Sequence, residues 1–476
     1  MIYLNLNHKE PLYQQLYEQL KQKIIAGEWS QGKRLPAMRV LAKELCISRN
    51  TVENAYGQLC IEGYAVSKQG CGFIVQDIQE TVLDRPYKTM ARIANSGRQE
   101  QQAQPSQSQE KSTSYTFDFQ YGNLPPESFP RQIWRRLTAE ALTSFESENI
   151  CAYGDKQGEL ALRRELIDYL HDSRGIVCTP DQVVLCNGLQ DALGLICTLF
   201  SDDNRILAME DPGYDFTRIV FQNHGYTIAP IPVNASGISL DDLQHSPAKM
   251  AYITPSHQFP TGCVMPINQR MELLRWAEQV DGIILEDDYD SELRYHTRPI
   301  PALQSIDRHG RVIYLGTFSK ALSPALRTSY LIFPQRLLAK YQTTFSRYNP
   351  SVPWLQQQVM TLFMAQGHWE KHLRKMCLQN KRRHDVLVRA IREMMGERVK
   401  VYGAGGGLHL LVEVLDKTPQ EDLIQKAAAH QVKVYPTRQY WLQPEKAADS
   451  LIQLGFSGLE EEEIVEGVLL LCKAWF

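Results

Sequence analysis

Over the first 77 residues the apolar positions recur at helical spacing and then change to short β-type runs. Leu12, Leu16, Leu20 and Ile24 fall four apart, which predicts an amphipathic helix that Gly27 can end. Met38, Leu41 and Leu45 predict a second, short helix introduced by Pro36. Beyond the break Cys46-Ile47-Ser48, the residues Val52, Ala55, Tyr56 and Leu59 follow the i, i+3, i+4, i+7 rule of a third helix, closed by Gly63. Two short strands at 64–66 and 73–75 are joined by a glycine-containing turn. Three helices and a hairpin predict a winged helix-turn-helix, an α+β module.

From about Phe117 onward the pattern changes to short β-rich runs alternating with amphipathic helices, among them QVVLCNG, NRILAMEDPG, AYITPS, GIILEDD and RVIYLGT. Several of these runs end directly in polar residues or glycine. That is how an open, mostly parallel α/β sheet presents a ligand site beyond its carboxyl ends. Between the two patterns, the stretch NSGRQEQQAQPSQSQEKSTS is rich in Gln and Ser and nearly without apolar residues. It buries too little surface to offset its ordering entropy, so it is expected to be a flexible tether. The chain is therefore expected to be multidomain: a winged helix-turn-helix module at 1–77, a linker at 78–114, and a body at 115–476 with a smaller C-terminal subdomain. There is no internal repeat.

Length and charge narrow the function classes. A chain of 476 residues suggests two to four domains. A formal net charge of -3 excludes a globally basic nucleic-acid binder, so any DNA contact comes from a local patch. No apolar stretch approaches the roughly 18 residues that span a bilayer, and LGLICTLF reads as a buried helix. The start MIYLNLNHKE has no signal-peptide pattern. The 10 cysteines are scattered without a CxxC pair, which fits reduced thiols in the cytoplasm and no metal site.

Ser48, Arg49, Asn50 and Thr51 stand at the start of the third helix, the end that enters a major groove. Arginine pairs bidentately with guanine and asparagine with adenine. Arg34, Arg39 and Lys68 lie where phosphates would be. The plainer alternative is a small packing domain with a solvated face, since residues 1–77 hold nine Lys/Arg against seven Asp/Glu. The segment from PLY through GKRLPAMR, LAKEL, SRNTV and EGY, however, resembles the GntR-family DNA-binding domain almost from end to end. That resemblance implies double-stranded operator DNA as a partner. It carries the family's contacts onto Arg39, Ser48, Arg49, Asn50, Thr51 and the wing glycine Gly70. Glu53 departs from members that place a second groove-facing arginine there, which affects the operator sequence rather than binding.

In the body, three strand ends gather polar residues. Asn187-Gly188-Leu189-Gln190 precedes a helix expected at 191–200, whose N-terminal amides form an anion site. Asp287 and Tyr289 follow a strand expected at 282–285, and Gly316-Thr317-Phe318-Ser319-Lys320 follows one at 312–315, with Arg327 beyond. Taken singly, Lys320 reads as a solvated lysine and Asp287 as a cap or ion pair. Together they make a cofactor site. Lys320 can form a Schiff base with an aldehyde, Asp287 can hold a pyridine nitrogen protonated, and Tyr289 can bond the ring's phenolic oxygen. Arg327, Thr317, Ser319 and the amides at Gly188, Leu189 and Gln190 can hold a phosphate.

The ordered motifs AYGDKQG-x-x-x-LR, NGLQ, EDPGY, TPSHQFPTG, EDDYDSE, GTFSKALSPALR and YGAGGGLHL resemble fold-type I aminotransferases over essentially all of the body. The resemblance implies pyridoxal 5'-phosphate on Lys320, Asp287 at the pyridine nitrogen and Tyr214 stacked on the ring. It also implies Tyr153 reaching the phosphate of a neighbouring subunit, hence a head-to-tail homodimer. The glycines 403–407 precede a strand and read as structural. Head and body in this order resemble the MocR subfamily of GntR-type regulators.

Two departures from the enzyme pattern stand out. Gln453, in IQLGF, occupies the place of the arginine that reads a substrate α-carboxylate, and glutamine makes no bidentate charged pair. Arg438 and Arg218 are then the alternative effector clamps. Phe259 stands where an asparagine meets the ring oxygen, so His257 and Gln258 are expected near that oxygen, although His257 also reads as a structural bond at a turn. Two readings follow. In one, the body is a sensor that reports an amine, amino acid or B6 effector through Schiff-base exchange at Lys320. In the other, it is an active aminotransferase with an attached DNA-binding head. The departures favour the sensor, with residual half-transamination at most.

Overall fold

The computed structural model describes residues 4, 11–62, 64–68, 72–76, 115–143, 150–201, 204–295 and 301–476. The expected linker and the wing glycine Gly70 lie outside the described residues. The chain divides into two compact units, 1–110 and 111–476, each considered by itself.

The N-terminal unit has the expected three helices, α1 (Leu12–Ile25), α2 (Met38–Glu44) and α3 (Arg49–Ile61), then the strands β1 (Ala65–Lys68) and β2 (Gly72–Val75). Leu16, Leu20, Leu41, Val52, Ala55, Tyr56 and Leu59 all turn inward to one small core, as their spacing requires. The hairpin pairs in antiparallel register from Ala65↔Val75 to Lys68↔Gly72. Both strands run one or two residues beyond the expected bounds toward the turn, because ladder bonds persist there after the apolar pattern ends. Arg34 bridges to Ile74, and Leu35 N–H donates to the Phe73 carbonyl at 2.8 Å, which fixes Arg34 against the hairpin.

The second unit is built on an eight-stranded sheet. Its strands are β3 (Val183–Cys186), β4 (Ile206–Asp211), β5 (Thr227–Asn234), β6 (Gly237–Ile238), β7 (Met250–Ile253), β8 (Ile283–Asp288), β9 (Val312–Thr317) and β10 (Ser329–Ile332). They lie in the order β3-β10-β9-β8-β7-β4-β5-β6. The ladders from β9 through β5 are parallel, whereas β10 runs antiparallel to both of its neighbours. β3, β7 and β10 are buried at every position, the signature of a sheet covered on both faces. Alternation sorts the side chains of β8 and β9: Leu285, Ile313 and Leu315 join one core, while Ile284 and Val312 join the core on the opposite face.

β8 continues through Asp288, three residues past its expected end. Parallel pairing with β9 goes on through Leu315↔Asp287 and Gly316↔Asp288, so the acidic residues lie within the strand and are held by buried partners. The helix after β3, α4 (Gly188–Leu199), likewise begins three residues earlier than expected. The smaller subdomain carries an antiparallel sheet of β11 (Val399–Tyr402), β12 (His409–Val414), β13 (Tyr435–Pro436) and β14 (Leu451–Gly455), ordered β11-β12-β14-β13. Helices His368–Met395 and Glu461–Trp475 pack on it around Leu410, Val412, Ile452 and Leu454.

Candidate functional site

In the head, Ser48 caps α3. Its Oγ accepts from Thr51 N–H at 3.1 Å and lies 2.8 Å from Thr51 Oγ1. The inward face of α3 is filled by Val52, Ala55, Tyr56 and Leu59, so Arg49, Asn50 and Glu53 are exposed on its outward side. Arg34, Arg39 and Lys68 are exposed as well. The cap thus orients the first turn of α3 while its polar side chains stay available to a base edge.

In the body, the carboxyl ends of β7, β8 and β9 and the start of α4 converge on a cavity of about 370 Å³. Nine of the expected residues line it: Leu189, Gln190, Tyr214, Asp287, Tyr289, Thr317, Ser319, Lys320 and Arg327. Lys320 is placed by the end of β9, with its Nζ 4.0 Å from the centre of the Tyr121 ring. It also lies against Gly122, where any Cβ would collide with Nζ. Burial pushes its ammonium down to about 8, against the opposing pull of Asp290 and Asp287.

The period of two along β8 divides the acidic run. Asp287 and Tyr289 face the cavity, whereas Glu286 and Asp288 point the other way. Glu286 accepts from the backbone of Leu303 and Gln304 at 2.7 and 2.9 Å, and Asp288 pairs with Arg174 at 2.7 Å and with the Tyr314 hydroxyl at 2.5 Å. Asp287 accepts from the Tyr252 hydroxyl. Burial pushes its carboxyl up to about 7, a cost that a cationic ring N–H would reverse.

At the opposite pole, Arg327 adopts a left-handed conformation (φ 48°), and Gly188 has φ 78°. The guanidinium occupies the space a Cβ on Gly188 would need. Thr317 Oγ1 lies 2.9 Å from Ser319 Oγ. A guanidinium, two hydroxyls and the first amides of a helix form a set suited to a phosphate dianion. The donor set fits pyridoxal phosphate from end to end: an amine beside a buried carboxylate at one side and an anion cradle at the other.

Other expected residues stand elsewhere. His257 is not on the cavity wall; its Nδ1 meets Asp290 at 2.9 Å, and the Tyr289 hydroxyl lies 3.1 Å from the same nitrogen. It therefore backs Tyr289, because the turn at 258–263 and the glycine loop at 403–407 close over it. Gly407 and Gly262 give it that room, and Gly262, where a Cβ would run into Gly403 Cα, lets the two backbones approach. Gln258 instead bonds the carbonyls of Pro212 and Phe259. Tyr153 is 88% exposed and takes no part in this cavity.

Neither arginine expected as a carboxylate clamp lines the cavity. Arg438 is held by Glu421 at 2.8 Å and Asp449 at 2.7 Å, and Arg218 donates to the Gln439 carbonyl at 2.8 Å. The sequence reading missed the ring cluster. Phe259 lies 4.8 to 6.1 Å from Tyr121, Tyr214, Tyr289, His409 and Tyr440, which come from five separate segments. The one signal was Gly122 beside Tyr121, a glycine demanded by Lys320. Gln453 lies behind Tyr440, whose hydroxyl donates to its Oε1 at 2.7 Å.

Comparison with known proteins agrees with both units. Residues 12–75 match the family of bacterial regulatory proteins of the gntR type, and residues 122–467 match aminotransferase class I and II. The chain is 37% identical over 474 residues to the uncharacterized HTH-type transcriptional regulator YdeL of Bacillus subtilis, covering 99% of this chain and 98% of that one. It is 31% identical to the probable rhizopine catabolism regulatory protein MocR of Rhizobium meliloti, covering 100% and 96%. Among solved structures, kynurenine aminotransferase of Pyrococcus horikoshii, in complex with PMP, superimposes with a TM-score of 0.68 at 26% identity. That match covers 76% of this chain and 91% of the other. The cofactor of this body is pyridoxal phosphate, and among the described residues no helix is long and apolar enough to cross a membrane. With a gntR-type DNA-binding head joined to a class I and II aminotransferase body along its whole length, the chain belongs to the MocR subfamily of GntR-type transcription regulators.

Proposed function

We propose that the body is a sensor: an amine-bearing effector enters the cavity at Lys320 and alters how the protein binds its operator. The supporting observation is the asymmetry of the site. The lysine, the ring carboxylate and the phosphate cradle are all kept, while the arginine that an aminotransferase uses for its substrate carboxylate is Gln453. Bound pyridoxal phosphate supplies an aldehyde that takes up primary amines reversibly. Lys320 would hold it, and when free its Nζ, with burial lowering the ammonium to about 8, would exchange a proton close to neutrality. Asp287 would keep the ring nitrogen protonated, Tyr289 would meet the ring oxygen, and Tyr214 would stack on the ring. Arg327, Thr317, Ser319 and the amides of Gly188, Leu189 and Gln190 fix the phosphate.

The response runs through the segment 438–442. It is tied to the large subdomain where Gly213 N–H donates to the Tyr440 carbonyl at 3.0 Å and Leu442 N–H to Asp211 at 2.7 Å. An effector that touches Phe259 or Tyr440 therefore bears on a junction between the subdomains, and differential contacts in two states shift their populations. Operator contacts come from Arg39, Ser48, Arg49, Asn50 and Thr51, with Arg34 and Lys68 on phosphates and Gly70 in the wing. A homodimer, with Tyr153 reaching the partner's phosphate, gives two heads for two half-sites. Borohydride should trap the cofactor on Lys320, and a Lys320→Ala protein should bind operator without answering to effector. A normal effector response in that variant, or steady turnover of an amino acid with a keto acid, would overturn the reading.

A further inference from the structure

We infer that the effector is a primary amine with an apolar or aromatic body and no anionic group, admitted by a ring-lined cavity that offers no cation to a carboxylate or sulfonate. The inference rests on the sensor reading and deepens it. Among the described residues lining the cavity the cations are Lys320 and Arg327. The first holds the aldehyde or, once exchange frees it, is drawn to Asp290 and Asp287, and the second lies against Gly188 at the phosphate pole. The two arginines expected as carboxylate clamps are committed elsewhere: Arg438 to two carboxylates and Arg218 to a carbonyl.

What remains around the amine-accepting end is aromatic. Phe259 sits at the centre of five rings, and Tyr121, Tyr214, Phe216 and Tyr289 join it on the wall. Gln453 is 2% exposed, its Oε1 is taken by Tyr440, and its Nε2 has no partner. It therefore offers one neutral N–H where arginine would offer a charged fork. A hydrogen bond from a neutral donor holds a carboxylate less strongly than one that charge assists. A buried carboxylate here would find no free cation on the wall to offset its desolvation. Apolar body atoms, by contrast, gain from burial against the rings.

The test uses the full-length holoprotein and matched probes: 2-phenylethylamine against L-phenylalanine, and isoamylamine against L-leucine, with 4-aminobutyrate as a second anionic probe. Cofactor absorbance and operator affinity are followed together. The amines should act at concentrations at least tenfold below their carboxylated counterparts. Gln453→Arg should narrow or reverse that ratio by restoring a cation. Amino acids or 4-aminobutyrate acting at equal or lower concentrations in the wild type overturn the inference and leave the sensor reading standing. An unchanged ratio in a folded Gln453→Arg protein overturns Gln453 as the determinant. Silence toward every primary amine, in both readouts, overturns the sensor reading and the inference with it. The wild-type ratio decides the matter even where Gln453→Arg fails to fold.

Discussion

Replacing Lys320 with Met in the cofactor-free protein removes a buried charge while keeping a stem of similar shape. Burial lowers the Lys320 ammonium from 10.5 to about 8, so the folded state binds its proton less tightly than the unfolded chain does. The unfolded chain then holds more protons between those values, and stability rises with pH across them. Below about pH 8 the wild type carries the whole penalty, roughly 3 kcal/mol for that gap. Against this stands the cation–π contact with Tyr121, 4.0 Å from the ring centre, which stabilises the ammonium by about 1 kcal/mol. Desolvation outweighs it. The cofactor-free Lys320→Met protein should be more stable than wild type by about 2 kcal/mol at pH 7. The difference should shrink as pH rises from about 8 toward 10.5. Urea melts of both proteins at a series of pH values measure it, and subtraction cancels groups that titrate alike in the two. Equal stability at pH 7, or a difference indifferent to pH, would refute the reasoning. With pyridoxal phosphate added the order should reverse, because only the wild type gains the covalent share of the linked binding energy.

Three further expectations concern other parts of the molecule. Gly188→Ala puts a Cβ into the Arg327 guanidinium at φ 78°, where an L side chain costs about 1–2 kcal/mol, so cofactor affinity in an absorbance titration should fall at least tenfold. Arg174→Leu strips Asp288 of its buried partner and should lower unfolding free energy by about 3–5 kcal/mol, part of it recovered by adding Asp288→Asn. In the head, Arg49→Ala should weaken operator binding by about 1–3 kcal/mol with little change in melting, whereas Ser48→Ala should also cost about 1 kcal/mol of stability through the lost cap. Gel-shift titrations and thermal melts separate the two.

The sequence by itself determined the elements and much of the chemistry. Helical spacing placed the three helices of the head, because one buried stripe leaves few alternatives. Strand ends placed Asp287, Lys320 and Arg327 on a common rim, because a parallel sheet carries its ligand site there. Tertiary structure decided what periodicity does not encode. Where β8 ends depended on its pairing with β9, which carries an acidic run inside the sheet. Whether His257 meets the cavity or backs Tyr289 depended on the close approach of two glycine turns far apart in the chain. Arg438 and Arg218 looked available in sequence because ion pairs and carbonyl bonds with distant residues leave no local signal. The ring cluster around Phe259 draws on segments from Tyr121 to Tyr440, and only folding brings such residues together.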